Sequence, residues 1–224
     1  FLIFIFTLVA SPQVTVKVKL SGGSTLQKVM EKRITAVINS FNNAFGNGSI
    51  PEIINENVTS DAKEGIMKLW QSAPFYCTEP SLKLKVLNLA KSEDFEVRNI
   101  PLNFKEGTNI RKYECILHLN KDGVVSDMLM GMESQRYDSL LNFGSDVTDL
   151  RRRFLILNFL EIYRTAYNKR DIDFIESVFS DEAVIIKGVV TFDKSTYSDE
   201  ISSSSGKFNV KYEKMKKQEY VSEL

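Results

Sequence analysis

The sequence predicts an α+β chain in which one order of elements starts twice: a long amphipathic helix, shorter helices, then antiparallel strands. Three observations carry this. Apolar residues recur at three- and four-residue steps over residues 24–46, they alternate with polar residues after Pro80, and a second long helical stretch opens at Asp149 with echoes of the first. With 224 residues, 43% hydrophobic and 11% aromatic, the chain has the apolar surface for a real core.

Residues 1–10, FLIFIFTLVA, carry no charge. A bilayer span needs about 20 apolar residues, so this run is too short as it stands. It suits the apolar region of a secretory signal, with Val9 and Ser11 as the small residues flanking cleavage after Ser11. Residues 1–11 are therefore expected to be a signal-peptide remnant, and the protein to be exported, periplasmic or cell-envelope associated. A buried strand is the competing reading. Because the chain opens on Phe1 and not Met, a longer reading frame is expected. No cysteine lies near this boundary to serve as a lipid attachment point, and residues 12–23 are expected to be extended.

Ser24 and Gln27 form a capping pair, each side chain placed to satisfy a free backbone N–H at a helix start. Leu26, Val29, Met30, Ile34, Val37, Ile38, Phe41 and Phe45 then make one stripe on a long helix that Gly46 and Gly48 end. A short helix from Ser49 is expected, with Pro51 in its first turn and Ile53 and Ile54 inward, and a third over 61–70. Leu82, Leu84 and Val86 alternate with Lys83 and Lys85, which predicts a strand. Two more follow at 95–102 and 111–120. Lys121-Asp122-Gly123 then turns into a fourth at 124–132. The first module is placed at 24–138, with a linker at 139–148.

The second module, 149–224, echoes the first at an offset of about 120 residues. Phe41-Asn42-Asn43-Ala44-Phe45 matches Tyr163-Arg164-Thr165-Ala166-Tyr167, Ser49-Ile50-Pro51 matches Asp171-Ile172-Asp173, and Ser60-Asp61-Ala62 matches Ser180-Asp181-Glu182-Ala183 with one insertion. Strands at 183–190 and 207–212 around a 202–206 loop, then a helix at 215–224, complete what is present. The later sheet strands have no counterpart, so this module is expected to be truncated, leaving apolar faces of the 149–167 helix uncovered.

A long helix, short helices and a curved antiparallel sheet resembles the cone-shaped nuclear-transport-factor-2-like (cystatin-like) fold. Tyr163-Arg164-Thr165-Ala166-Tyr167, Asp171-Ile172-Asp173 and Phe179-Ser180-Asp181-Glu182-Ala183 resemble that superfamily's helix-to-helix signature. More narrowly, Arg98-Asn99-Ile100-Pro101-Leu102-Asn103-Phe104, Leu119-Asn120-Lys121-Asp122-Gly123, Asn158-Phe159-Leu160-Glu161-Ile162-Tyr163 and Tyr212-Glu213-Lys214-Met215 resemble uncharacterised exported proteins of Bacteroidetes-type bacteria with two such modules in tandem. The resemblance implies an architecture of two tandem cones, the second truncated. It does not imply an activity, since the superfamily hosts isomerases, dehydratases and binding modules.

The balance of 29 basic against 29 acidic residues creates no field that would recruit nucleic acid. Cys77 and Cys115 can pair, or can be core or loop thiols; their spacing is not a metal pattern. Enzymes of the cone fold are similar in placing an Asp, His or Tyr deep in the cone. The only histidine, His118, shares a strand face with Glu114 and Ile116, opposite Tyr113, Cys115, Leu117 and Leu119. His118 and Glu114 lie about 13 Å apart along that face, which excludes direct contact. Asp127, between Val125 and Leu129, is the one acid placed for a desolvated role, against the plainer reading of a solvated face opposite Met128, Met130 and Met132. Arg151-Arg152-Arg153 suggests an anion site or a solvated helix start. Asn47-Gly48-Ser49 and Asn57-Val58-Thr59 match the glycosylation triplet, which matters only in a eukaryotic secretory pathway.

The phosphate-loop, paired-cysteine zinc, His-Glu helix and nucleophile-elbow patterns do not occur. No catalytic residue, metal ligand or cofactor is assigned. Phe41, Phe45, Tyr163 and Tyr167 are the pocket candidates, with core packing as their plainer role. The expectation is a non-enzymatic exported binding or assembly protein with a protein or small-molecule partner and self-association through sheet faces. The alternatives are an isomerase or lyase using the first cone, favoured by a buried polar residue there, and a structural envelope component, favoured by an exposed apolar sheet face.

Overall fold

The capping pair at Ser24 forms. In the computed structural model, which describes residues 14–89, 93–143, 149–192 and 208–224, Ser24 Oγ accepts the Gln27 N–H at 3.2 Å and Gln27 Oε1 accepts the Ser24 N–H at 2.9 Å. Helix α1 (Thr25–Asn47) ends at Gly48, whose φ of 63° is the left-handed conformation that a Cβ disfavours. Met30, Ile34, Val37, Ile38 and Phe41 are buried along it.

The expected extended N-terminal segment contains strand β1 (Lys17–Leu20), parallel to β3 (Ser81–Leu84). Its outer edge is sealed by α1. The N–H groups of Val16, Val18 and Leu20 donate to Asn39 Oδ1, Thr35 Oγ1 and Glu31 Oε1 at 2.8, 3.2 and 2.7 Å. Two strand residues advance about 6.6 Å and four helix residues about 6.0 Å, so the two periods stay in step. The single strand expected from Leu82 to Val86 is instead two. After β3 the chain breaks at Lys85, and β4 (Val86–Asn88) joins a different sheet.

That main sheet has the order β2 (Phe75–Tyr76), β5 (Phe95–Glu106), β6 (Asn109–Leu119), β7 (Val125–Met130), with β4 also beside β5, all antiparallel. One face packs against α1 and α2 (Ser60–Ser72), the latter capped by Thr59. Phe75 is fully buried at their meeting, edge-on to Phe41 at 4.8 Å and Trp70 at 5.2 Å and tilted on Phe104 at 4.7 Å. The short helix expected from Ser49 does not form. The segment after it is tied to β7 instead: Asn57 O accepts the Val125 N–H and Thr59 N–H donates to Val125 O. Ile53 is buried there, but Ile54 is exposed.

The opposite face meets two helices. Helix α3 (Ser134–Leu141) occupies ground expected to be module end and linker. Helix α4 (Leu150–Lys169) seals the free edge of β7: Met130 N–H donates to Thr165 Oγ1 and Met132 N–H to Glu161 Oε1, each at 2.8 Å. The first compact unit accordingly runs Phe1–Lys169, so α4 belongs to it and does not open a separate module at residue 149. As expected, much of α4 is uncovered; Phe154, Leu155, Ile156, Phe159 and Leu160 are all exposed.

The second unit, Arg170–Leu224, comprises α5 (Ile172–Val178), an antiparallel hairpin of β8 (Val184–Phe192) and β9 (Phe208–Lys216), and α6 (Lys217–Ser222). Asp171 caps α5 by accepting the Phe174 N–H, and Ile175, Met215 and Tyr220 are buried. The sequence echoes fold differently here. Asp171-Ile172-Asp173 starts a helix where Ser49-Ile50-Pro51 does not, and Ser180-Asp181 turns into β8 where Ser60-Asp61 starts α2. Only the long helices share both sequence and structure. The apolar run 1–10, the cleavage point and the 202–206 loop lie outside the described residues. Among the described residues no helix is long and apolar enough to cross a membrane.

Candidate functional site

Strand β5 carries a bulge. Val97 pairs with Leu117 and Ile100 with Cys115, so Arg98 and Asn99 are opposed by Ile116 alone. Val97 and Ile100 both stay in the core, and the extra residue is absorbed by Asn99 at φ 63°. Asparagine is one of the few residues that tolerates this conformation.

Around the bulge the outer sheet face holds a charged network. Glu96 is the cross-strand partner of His118, and its Oε2 lies 3.1 Å from His118 Nε2. Glu96 Oε1 accepts Arg98 Nη1 at 3.1 Å, and Arg98 Nη2 reaches Glu161 Oε1 on α4 at 2.5 Å. The Arg98 guanidinium also sits 4.2 Å from the Tyr137 ring centre. Burial by itself would raise the Glu96 carboxyl, but His118 and Arg98 override it and hold it below its ordinary value. Burial likewise opposes charge on Arg98, and Glu161 and Glu96 more than offset it. Glu161 is 2% exposed, and its Oε2 is buried without a hydrogen-bond partner among the described residues.

Above this network opens a cleft of about 500 Å3. Strand β5 contributes Glu96, Arg98 and Asn99, and the β3–β4 segment contributes Lys83, Lys85 and Leu87. Helix α3 adds Tyr137, Asp138 and Leu141, and α4 adds Phe154. Its size lies within the range of small-ligand sites, and its lining mixes apolar side chains with five charged ones. A second cleft of about 580 Å3 includes Tyr113, Glu114, Arg136 and Arg164. There Arg164 lies over the Tyr113 ring and donates to Gly131 O, and Glu114 accepts both the N–H and the hydroxyl of Ser134, while Arg136 is exposed at the rim. An apolar groove of about 500 Å3 lies between α3 and α4, lined by Leu140, Phe143, Ile156, Leu157 and Leu160.

The residues singled out from sequence fall elsewhere. Phe41 is core, Phe45 packs on Tyr76 at 4.2 Å, Tyr163 is half-buried near Phe159 at 6.1 Å, and Tyr167 is exposed. None of the four lines the clefts above, because the helical stripe that brought Phe41 and Phe45 together faces a filled core. His118 does face away from that core, and it does not touch Glu114; its partner, Glu96, is on the neighbouring strand. Asp127 is partly exposed, accepts Lys169 Nζ at 3.1 Å, and is not a desolvated acid. Arg151 and Arg152 are exposed, and Arg153 pairs with Asp149 at 3.0 Å. Cys77 and Cys115 are buried free thiols, both raised by burial. Sequence reasoning missed Glu96, Arg98 and Glu161. The one available signal was two charges two apart on a strand, Glu96 and Arg98, which places them on one face.

Among the described residues no three His, Cys, Asp or Glu side chains group to hold a metal ion. No protein-family model matches this sequence, and no curated protein or solved structure matches it.

Proposed function

We propose that this chain is a non-enzymatic binding protein of the exported class, and that the cleft over the Asn99 bulge is its binding surface. One observation carries the reading: a ligand-sized cleft whose enclosed charged groups, Glu96 and Arg98, are committed to fixed ion pairs. Acid catalysis needs a carboxyl raised toward neutrality, and Glu96 is displaced the other way. Of the buried polar residues that would favour an isomerase or lyase, Glu96 and Glu161 lie on the outer sheet face; Asn42 lies on the buried face of α1, where its amide donates to Val14 O and Cys77 O and accepts the Cys77 N–H, a structural clamp. Export rests on the composition of residues 1–11, and the tandem-cone reading on the sequence echo between α1 and α4, which the differing folds of the later echoes weaken.

The test is a thermal-shift screen of the full chain against small metabolites and envelope fragments. A rise in Tm that grows with ligand concentration for one chemical class supports the reading. A folded chain that nothing shifts removes it.

A second reading, self-association as an envelope component, has its own observation. In the hairpin of the second unit, Val184, Ile186, Val210 and Tyr212 share one face, and all are exposed, Tyr212 at 71%. Sedimentation velocity of the full chain tests it. A concentration-dependent oligomer that the double substitution Ile186→Lys and Tyr212→Lys abolishes supports this reading, and a monomer at all concentrations ends it.

A further inference from the structure

The charges around the cleft indicate what it takes. Arg98 lines it, but its charge is opposed by Glu96 and Glu161. Glu96 in turn is shared between Arg98 and His118. What remains is Lys83 and Lys85, both exposed and without an ion pair among the described residues, against Asp138 alone. The uncommitted lining thus has an excess of positive charge. Beside it Leu87 is 46% exposed and Phe154 43%, apolar area left facing the same space. The bulge adds a backbone feature: Asn99 is held at φ 63°, its side chain exposed and making no hydrogen bond among the described residues. Strained backbone conformations of this kind recur where a ligand is gripped, because the surrounding fold must hold them.

We infer that the cleft over the Asn99 bulge binds a small amphipathic carboxylate, its anionic end held by Lys83 and Lys85 and its apolar body against Leu87 and Phe154. The inference rests on the binding reading above and goes further in naming the ligand's chemistry. Lysine ammoniums on flexible stems suit a carboxylate whose exact position is not fixed by a bidentate fork. Asp138 in the same lining disfavours a second negative charge on the ligand, so a monoanion with an apolar body is preferred over a dianion.

The experiment uses three probes with one apolar body and different charge: 3-phenylpropionate, 3-phenylpropan-1-ol and 3-phenylpropylammonium. Each is titrated into the full chain while backbone amide shifts are followed by NMR. The expected result is saturable movement of amides at 83–87 and 96–99, with the carboxylate binding about five-fold more tightly than the alcohol, as two partly exposed charge contacts would give. The double substitution Lys83→Ala and Lys85→Ala, at exposed positions, should bring the carboxylate down to the alcohol's affinity while leaving the remaining spectrum unchanged. If the alcohol or the ammonium binds at these amides as tightly as the carboxylate, the ligand class is overturned and the binding reading stands. If none of the three binds saturably at these amides, the ligand class is overturned, while the binding reading falls only if the thermal-shift screen also finds no ligand.

Discussion

The charged network tests how a buried carboxylate is held. Glu161 accepts two hydrogen bonds on one oxygen, from Arg98 and from the Met132 N–H, with the other oxygen enclosed and unpartnered. Removing it leaves Arg98 with one buried anion fewer and frees a strand-edge N–H. Glu161→Ala should cost about 3 kcal/mol in chemical denaturation, in the range for breaking a buried pair from one side. A loss under about 0.5 kcal/mol, the level of an ordinary surface change, would show that the pair contributes little. Glu96 makes a pH prediction. Its folded value lies below the unfolded carboxyl value of about 4.3, so the unfolded chain takes up its proton first as pH falls. Its stabilisation is therefore complete above that value and lost as pH drops through the lowered folded one. Glu96→Gln should reduce stability at neutral pH and flatten the acid limb below about pH 4, in urea titrations at several pH values.

At the scale of elements, the same device closes two strand edges of the first unit, those of β1 and β7. Glu31, Thr35 and Asn39 of α1 take the N–H groups of β1, and Glu161 and Thr165 of α4 take those of β7. Unpaired strand edges invite association with other chains, and a helix with polar groups every four residues removes the hazard. Glu31 to Glu161 and Thr35 to Thr165 are both 130 residues apart, not the roughly 120 of the sequence echo, so the two ladders are not equivalent positions of one repeat. On the other face, the Phe41–Trp70–Phe75–Phe104 cluster fixes α1 and α2 to the sheet. Phe75→Ala should cost about 3–5 kcal/mol by denaturant unfolding, since the ring is fully enclosed and its neighbours can collapse only in part.

For the whole molecule, what matters is where the first folding unit ends. With α4 supplying Glu161 and Thr165 to β5 and β7, a chain stopped after residue 143 would leave a charged network broken and a sheet edge bare. A chain of residues 14–169 should unfold in one cooperative transition and stay soluble. One of residues 14–143 should lose cooperativity or aggregate, as followed by circular dichroism and light scattering. Equal stability of the two would restore the 139–148 segment as the boundary. The exposed apolar side chains on α4 remain in the longer chain, so its solubility also tests how much that surface drives association.

The sequence alone determined the local features. The α+β class, the Ser24 start and Gly48 stop of α1, the alternation of β3, β5 and β6, and the hairpin turn at Gly123 were all legible, because capping, periodicity and turn chemistry are written in neighbouring residues. The orientation of His118 away from the core was legible for the same reason. Tertiary structure decided the rest. It left Ser49-Ile50-Pro51 outside a helix, bridged Asn57 and Thr59 to β7, split the strand at Lys85 between two sheets, recruited β1, and assigned α4 to the first unit. It also built the candidate site, joining Glu96 and Arg98 to His118, 20 or more residues away, and to Glu161, over 60 residues away. Such contacts depend on strand register and on a bulge at Asn99. Neither leaves a mark in local composition, because both are set by how distant segments share one core and one sheet face.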